Sequence, residues 1–406
     1  MWPILYNPLR PAFLSSRALE EGSMKGKALV IPLIAGMLLL AGCLGGSGTS
    51  TSSSRTHTYT PTSSSPQTQT TTAPGPETWN MSVVWHVNTS DMPVMDLAPD
   101  GSLAAVIDWW GHRIYLASPD GSAVSFDLME PGDIVEPVVA GVAIVEGKAY
   151  VLGSYGEFTG VRIYDWSGKV GETHEGGAGS VPDDILRSPS GNHFCYLMAV
   201  TATDQVLVCD GTKLELENKY SLKWVSDSGL VLLDKGNKEV VMRNGSAVLT
   251  LNTTSVLAYG DKLVASYGDT LKVLSLDGKV LASIEKAGFG QTTLLRWTLI
   301  PTKNYIFRHE PLEDTHVFTW NLTEVKVLPG FPYFANDNFV VTAKDGVIHC
   351  YSLDDFHEVF HVRVPGDSLG YIKLSEDGKV MLVSGEYGDY WLYRAEMSGL
   401  NRMKDN

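Results

Sequence analysis

Asp345-Gly346-Val347-Ile348-His349-Cys350-Tyr351-Ser352-Leu353-Asp354, running on to Glu358-Val359-Phe360, decides the fold. It opens on Asp-Gly, which supplies the positive φ that a two-residue hairpin needs, then runs as a strand, a turn and a further strand. Leu271-Lys272-Val273-Leu274-Ser275-Leu276-Asp277-Gly278-Lys279 is a second copy of the pattern. The same punctuation recurs at Pro99-Asp100-Gly101, Pro119-Asp120-Gly121, Asp210-Gly211, Asn244-Gly245 and Asp377-Gly378. Between these turns the chain alternates, as in Tyr371-Ile372-Lys373-Leu374-Ser375, which predicts strands with one face dry and one wet. Helical periodicity is almost absent from Met81 onward.

Grouping the strands in fours gives units near 92–129, 138–174, 181–220, 221–251, 255–285, 292–329, 331–364 and 368–394. Seven steps from the turn at Asp100 to the turn at Asp377 average about 40 residues, the size of a propeller blade. The expectation is all-β: a single β-propeller over 80–397 of about eight four-stranded blades, with seven as the alternative count. The last unit offers three strands, 369–375, 379–384 and 390–394. The unassigned strand Met81-Ser82-Val83-Val84-Trp85-His86-Val87 then becomes its outer strand, which pairs the exposed edges and closes the ring. The repeat resembles the WD40/quinoprotein-like (PQQ-like) propeller repeat over residues 81–397, which implies a fold and not an activity. No cofactor follows from it, because quinoprotein dehydrogenases carry additional cofactor-binding segments that blades joined this tightly do not hold.

Ahead of the body, Lys25 and Lys27 precede an apolar run from Ala28 to Ala41 that ends in Leu40-Ala41-Gly42-Cys43. This looks like a lipoprotein signal, residues 24–42, with its lipobox. The resemblance implies cleavage before Cys43, lipid attachment to that residue and residence on the extracytoplasmic face of a prokaryotic cell membrane. The run is short for a spanning helix and contains Pro32. Residues 1–23 fit no export signal, and Glu20-Glu21-Gly22 is encodable as a ribosome-binding site, so translation is expected to start at Met24. Residues 43–79 are rich in Ser, Thr and Pro and read as a flexible stalk; residues 398–406 form a polar tail. Sequons stand at Asn80, Asn88, Asn244, Asn252 and Asn321, candidate glycosylation sites of an exported glycoprotein.

The formal charge is −15. Of the basic side chains, Arg10, Arg17, Lys25 and Lys27 precede Cys43, against the acidic Glu20 and Glu21, so the exported part is more acidic still. That acidity opposes nucleic-acid binding and docking on anionic lipid, leaving the anchor as the membrane contact.

His357-Glu358-Val359-Phe360-His361 matches the H-E-x-x-H of zinc proteases. That chemistry needs a helix, whereas Val362-Arg363-Val364-Pro365-Gly366 continues as an outer strand. Residues four apart on a strand are about 13 Å apart, yet both imidazoles must come within about 2.1 Å of zinc. No metal is therefore assigned. Four cysteines are present. Cys195 and Cys209 flank Thr201-Ala202-Thr203, which places them opposite each other across a hairpin, either as a disulfide or as two buried thiols. Cys350 has no obvious partner and is expected in the core.

The loops between second and third strands gather on one mouth of a propeller. Here they carry Asp108-Trp109-Trp110-Gly111-His112, Tyr155-Gly156-Glu157-Phe158, Tyr267-Gly268-Asp269, His309-Glu310-Pro311-Leu312-Glu313-Asp314-Thr315-His316 and Glu386-Tyr387-Gly388-Asp389. Aromatics interleaved with carboxylates suit a sugar ring, a basic peptide or a cation. Packing and turn chemistry explain the same residues without a ligand. The expected function is non-enzymatic binding or scaffolding of a cell-surface protein or glycan, with no catalytic residue assigned. One alternative is a polysaccharide hydrolase or lyase using Glu313, Asp314 and Glu157, whose carboxylates would have to stand about 5–9 Å apart. The other is an assembly factor for a membrane complex.

Overall fold

A computed structural model describes residues 78–89, 94–110, 112–131, 135–217, 219–236, 238–253, 256–267, 270–285, 299–309, 314–365, 369–385 and 388–396. Cys43, the signal, most of the stalk and the tail lie outside them.

The described residues form eight four-stranded antiparallel sheets. Blade 1 is Val94–Leu97, Ala104–Asp108, Arg113–Ala117 and Ala123–Asp127; blade 2 spans Val138 to Gly177, and blade 3 Val181 to Glu217. Blades 4 to 7 span Ser221–Leu251, Val256–Glu285, Leu299–Leu328 and Phe331–Arg363. Blade 8 has Leu369–Leu374, Val380–Gly385 and Asp389–Glu396, with Asn80–Asn88 as its outermost strand. The closing pair runs antiparallel from Asn80 opposite Glu396 to Asn88 opposite Asp389, with a bulge between Val83 and Trp85. This is the closure expected from the three-stranded last unit, and the count is eight rather than seven.

The expected wet-and-dry alternation is confined to part of each blade. Outermost strands such as Ala123–Asp127 and Thr212–Glu217 alternate between exposed and half-buried residues. Middle strands do not: Leu230–Asp234 and Val380–Gly385 are buried throughout. Each blade is stacked between two neighbours, so both faces of a middle strand are covered and its residues read as a continuous apolar run.

The core is accordingly divided. Eight hydrophobic clusters fill the eight junctions between adjacent blades. At the closing junction Leu97 and Val106 of blade 1 meet Leu382 and Leu392 of blade 8. Outside the sheet, Trp79 donates its backbone N–H to the Val359 carbonyl at 2.8 Å and tilts against Phe339. Each blade is an antiparallel meander. Its first-to-second and third-to-fourth turns therefore lie on one face of the ring, while its second-to-third loops and the blade-to-blade links lie on the other.

Candidate functional site

On the face of the second-to-third loops, most of the aromatics and acids read from sequence as ligand contacts are committed to the ring. Tyr155 is 3 % exposed, so it is not on the rim. Its hydroxyl donates to the Val151 carbonyl at 2.9 Å, and the Arg162 guanidinium lies 4.0 Å from its ring centre. Burial pushes its phenol pKa well up. Phe158 stacks on His174 at 3.8 Å. Tyr267 packs half-buried against the blade 4–5 core. His309 is also buried, edge-on to Phe331 at 4.6 Å. Asp314 accepts the Gly330 N–H and the Lys344 ammonium, both at 3.0 Å, and these hold its carboxyl below the usual range. His316 pairs with Glu324 at 2.8 Å, and Asp389 accepts from Asn88 at 2.8 Å across the closing seam. Asp269, Glu310, Glu313, Glu386 and Tyr387 lie outside the described residues.

What remains outward on this face is concentrated at the junction of blades 1 and 2. The link between them, residues 128–137, is ten residues long. The other links are two to five residues, apart from 286–298, which lies outside the described residues. Trp110 is 62 % exposed and Val135 58 %, with Met129 also exposed. Among the described residues these three are the exposed large apolar side chains of this face; the others lie on outermost strands or, for Trp166, in a third-to-fourth turn.

The link is held from below and from the side. Arg162, wholly buried, donates to the Leu128 carbonyl at 2.5 Å and sits 3.9 Å from Glu130 and 3.7 Å from Glu172. Lys169 bridges the same two carboxylates at 2.6 and 2.9 Å. The Lys169 contact is the main reason the Glu172 carboxyl sits below its ordinary pKa. The Leu128 N–H donates to the His112 carbonyl at 2.7 Å, which ties the link to the loop carrying Trp110. His112, in a left-handed conformation at φ 48°, reaches Glu136 at 3.5 Å. Trp109 turns inward onto the blade 1–2 core, with its ring 5.6 Å from that of Trp110. Tyr155 and Phe158 thus serve the lip indirectly, by packing as a pair against the arginine that fixes Leu128 and Glu130. Asp108, half-buried, ends the strand beneath, and Glu157 is exposed beside it on blade 2.

Sequence reasoning singled out Trp110, His112 and Glu157 but missed Met129, Val135, Glu136 and Arg162. The available signal was the gap between units 92–129 and 138–174, too long for a tight link and bounded by Pro131 and Pro137.

The remaining constellations divide cleanly. The carboxylate pair considered for hydrolysis is not assembled: Glu157 is on blade 2 and Asp314 on blade 6, half a ring apart. The H-E-x-x-H run lies at the start of the strand Glu358–Arg363, as expected, and its histidines have separate partners. His357 contacts Asp355 at 2.5 Å, whereas His361 contacts Glu358 at 2.6 Å. Cys195 and Cys209 sit opposite each other in register and are joined by a disulfide, with Cα atoms 4.1 Å apart. Cys350 is buried, which pushes its thiol pKa up. All five sequon asparagines are exposed, although Asn88 is engaged by Asp389.

No family model matches the chain. A protein of Archaeoglobus fulgidus described as an uncharacterized protein is 57 % identical over 318 residues, covering 78 % of this chain and 90 % of that one. The chain belongs to its family. Among solved structures, the ring of this chain is similar to the C-terminal WD40 domain of Sif2, with a TM-score of 0.55, 11 % identity, and coverage of 79 % of this chain and 99 % of that one. It is similar to the Dos1 propeller at 0.55, with 14 % identity over 77 % of this chain and 95 % of that one. The computationally designed Ika8 protein gives 0.53 at 13 % identity, covering 77 % of this chain and 99 % of that one. Likeness at this level of identity shows a WD40-like propeller and nothing about ligands.

Proposed function

We propose that this chain is a non-enzymatic binding and scaffolding module, exported, anchored through a lipid on Cys43 and held off the membrane by its stalk. A rigid closed ring suggests a scaffold for protein binding. The observation that carries the proposal is the lip at the blade 1–2 junction, where Trp110 of a blade 1 loop and Met129 and Val135 of the link are exposed. Large apolar groups grouped on a surface cost free energy in water, about 25 cal/mol per Å², and mark recognition sites when rimmed by polar residues. Trp is also the residue type that most often dominates binding energy at a protein interface. Export is supported by the lipobox-like run ending in Cys43 and by the Cys195–Cys209 disulfide, a bond that persists outside reducing compartments.

The test places a photo-crosslinking residue at position 110 of the membrane-bound chain, and separately at Val248, which is exposed on an outermost strand of blade 4. A discrete adduct from position 110 and none from position 248 is the expected result. Absence of any adduct at 110, with retention of no sugar on a glycan array, overturns the proposal.

A further inference from the structure

We infer that the blade 1–2 lip receives a cationic segment of a partner protein, a Lys or Arg beside an apolar anchor; this rests on the binding-module reading above. The apolar centre of the lip, Trp110 with Met129 and Val135, is ringed by Asp108, Glu130, Glu136, Glu157 and Glu172. Three cations stand among these five carboxylates, and each already has an acidic partner: Arg113, opposite Asp108 across the hairpin, donates to Asp127 at 2.8 Å, and the other two are spent inward. Arg162 is 2 % exposed and held by Leu128, Glu130 and Glu172, while Lys169 bridges Glu130 and Glu172. The side chains that face solvent most fully are acidic: that of Glu136 is 76 % exposed, and Glu157 is exposed as well.

The charge of the surface therefore complements a base and repels an acid. A neutral sugar seated on Trp110 offers these carboxylates hydroxyl donors but no counter-charge, so it leaves the clustered negative charge unneutralised. A guanidinium or ammonium satisfies them and is also attracted to the face of an exposed indole. At longer range the net charge of −15 steers a basic partner toward the ring and raises its association rate.

The experiment measures fluorescence anisotropy of labelled peptides on the full chain in detergent micelles at physiological salt. The probes are a Lys/Leu/Trp peptide and isosteric versions carrying Gln or Glu in place of Lys. Binding of the Lys peptide is expected, with affinity falling roughly tenfold in Trp110→Ala and again in Glu136→Gln/Glu157→Gln, both still folded by circular dichroism. The control Glu215→Gln/Glu376→Gln neutralises two exposed acids away from the lip and is expected to change nothing. Equal weakening by the control means diffuse charge attraction and overturns the inference. Trp110-dependent binding of the Gln peptide at equal strength overturns the inference but leaves the binding module standing. Peptide binding indifferent to Trp110, together with no crosslink from position 110, removes both.

Discussion

Replacing Arg187 with methionine should destabilise the ring by about 3 kcal/mol at neutral pH. Asp96, on the inner strand of blade 1, is held by three neighbours across the hub. Arg187 of blade 3 donates from Nε at 2.7 Å and from Nη2 at 3.2 Å, and the Ile144 N–H of blade 2 donates at 2.8 Å. Lys373 of blade 8 stands 3.8 Å away. The paired side chains are 5 % and 11 % exposed, so screening by water is slight. Removing one partner of a buried ion pair costs about 3–5 kcal/mol, because the other charge is left behind. Lys373 retains part of the compensation, which places the loss near the lower end. Asp96→Asn should cost less, about 1–2 kcal/mol, because Arg187 keeps the carbonyls of Leu97, Ser188 and Pro189. The double variant should fall well short of the sum of the two losses, which is the signature of direct coupling.

The measurement is urea unfolding followed by tryptophan fluorescence, urea being uncharged. The pH dependence has a defined sign. Burial would raise the Asp96 carboxyl, but Arg187 and Lys373 outweigh it and hold the pKa below its ordinary value. A carboxyl depressed in the folded state contributes fully above its unfolded pKa, about 3.9, and loses that contribution as pH falls through the lower folded value. The gap between the native protein and Arg187→Met should thus be complete at pH 7 and shrink below about pH 4. A variant within 1 kcal/mol of the native protein at pH 7, or a gap unchanged in acid, would refute the reasoning.

Two further outcomes are expected. Deleting residues 78–90 removes the closing strand and bares the edge of Asp389–Glu396, so the melting temperature should fall by roughly 10 °C and light scattering should rise on heating; an unchanged melting curve would count against closure by this strand. Mass spectrometry of the membrane-bound chain should find Cys43 at its N-terminus carrying a lipid-sized mass increment, whereas an unmodified Cys43 or an intact run Ala28–Ala41 would rule out a lipid anchor on that residue.

The ring was legible because its determinants are local. Asp345-Gly346 and its counterparts mark turns by backbone chemistry; Asp345 and Gly346 both adopt positive φ, 52° and 74°. The 40-residue spacing and the odd strand Asn80–Asn88 then fix number and closure. The lip was only half legible. Nothing local distinguishes Trp109 from Trp110; one turns inward because the strand Ala104–Asp108 ends beneath it and leaves a place in the blade 1–2 core. Tyr155 reads as a rim aromatic until Arg162, seven residues on, is found against its ring. Glu358 and His361, three apart, would face opposite sides of a regular strand. The bulge opposite Cys350 and Tyr351 brings both to one carboxylate–imidazole contact, a register detail that spacing alone does not carry.

Ring size also explains where recognition falls. As in barrels, the hub widens with the number of units around it, and apolar side chains from eight inner strands do not reach across to fill it. The chain spans it with long charged groups instead. Asp96 meets Arg187 two blades away, Lys373 approaches from the other side, and the Asp184 charge of blade 3 helps burial raise the Tyr371 phenol of blade 8. On blade 4, Lys223 of the innermost strand turns away from the hub instead, buried against Asp234 and Glu239 of the blade's own middle strands. A ligand threading the hub at Asp96 would have to separate buried ion pairs at several kcal/mol each. The same chain joins its described blades by two to five residues except at 286–298, outside the described residues, and between blades 1 and 2, where a ten-residue link is fixed at Leu128 by a buried arginine and displays Met129 and Val135 beside Trp110. A stable ring needs no such link at that junction, since the neighbouring junctions close without one. The extra length is therefore explained by what it presents to solvent rather than by what it connects.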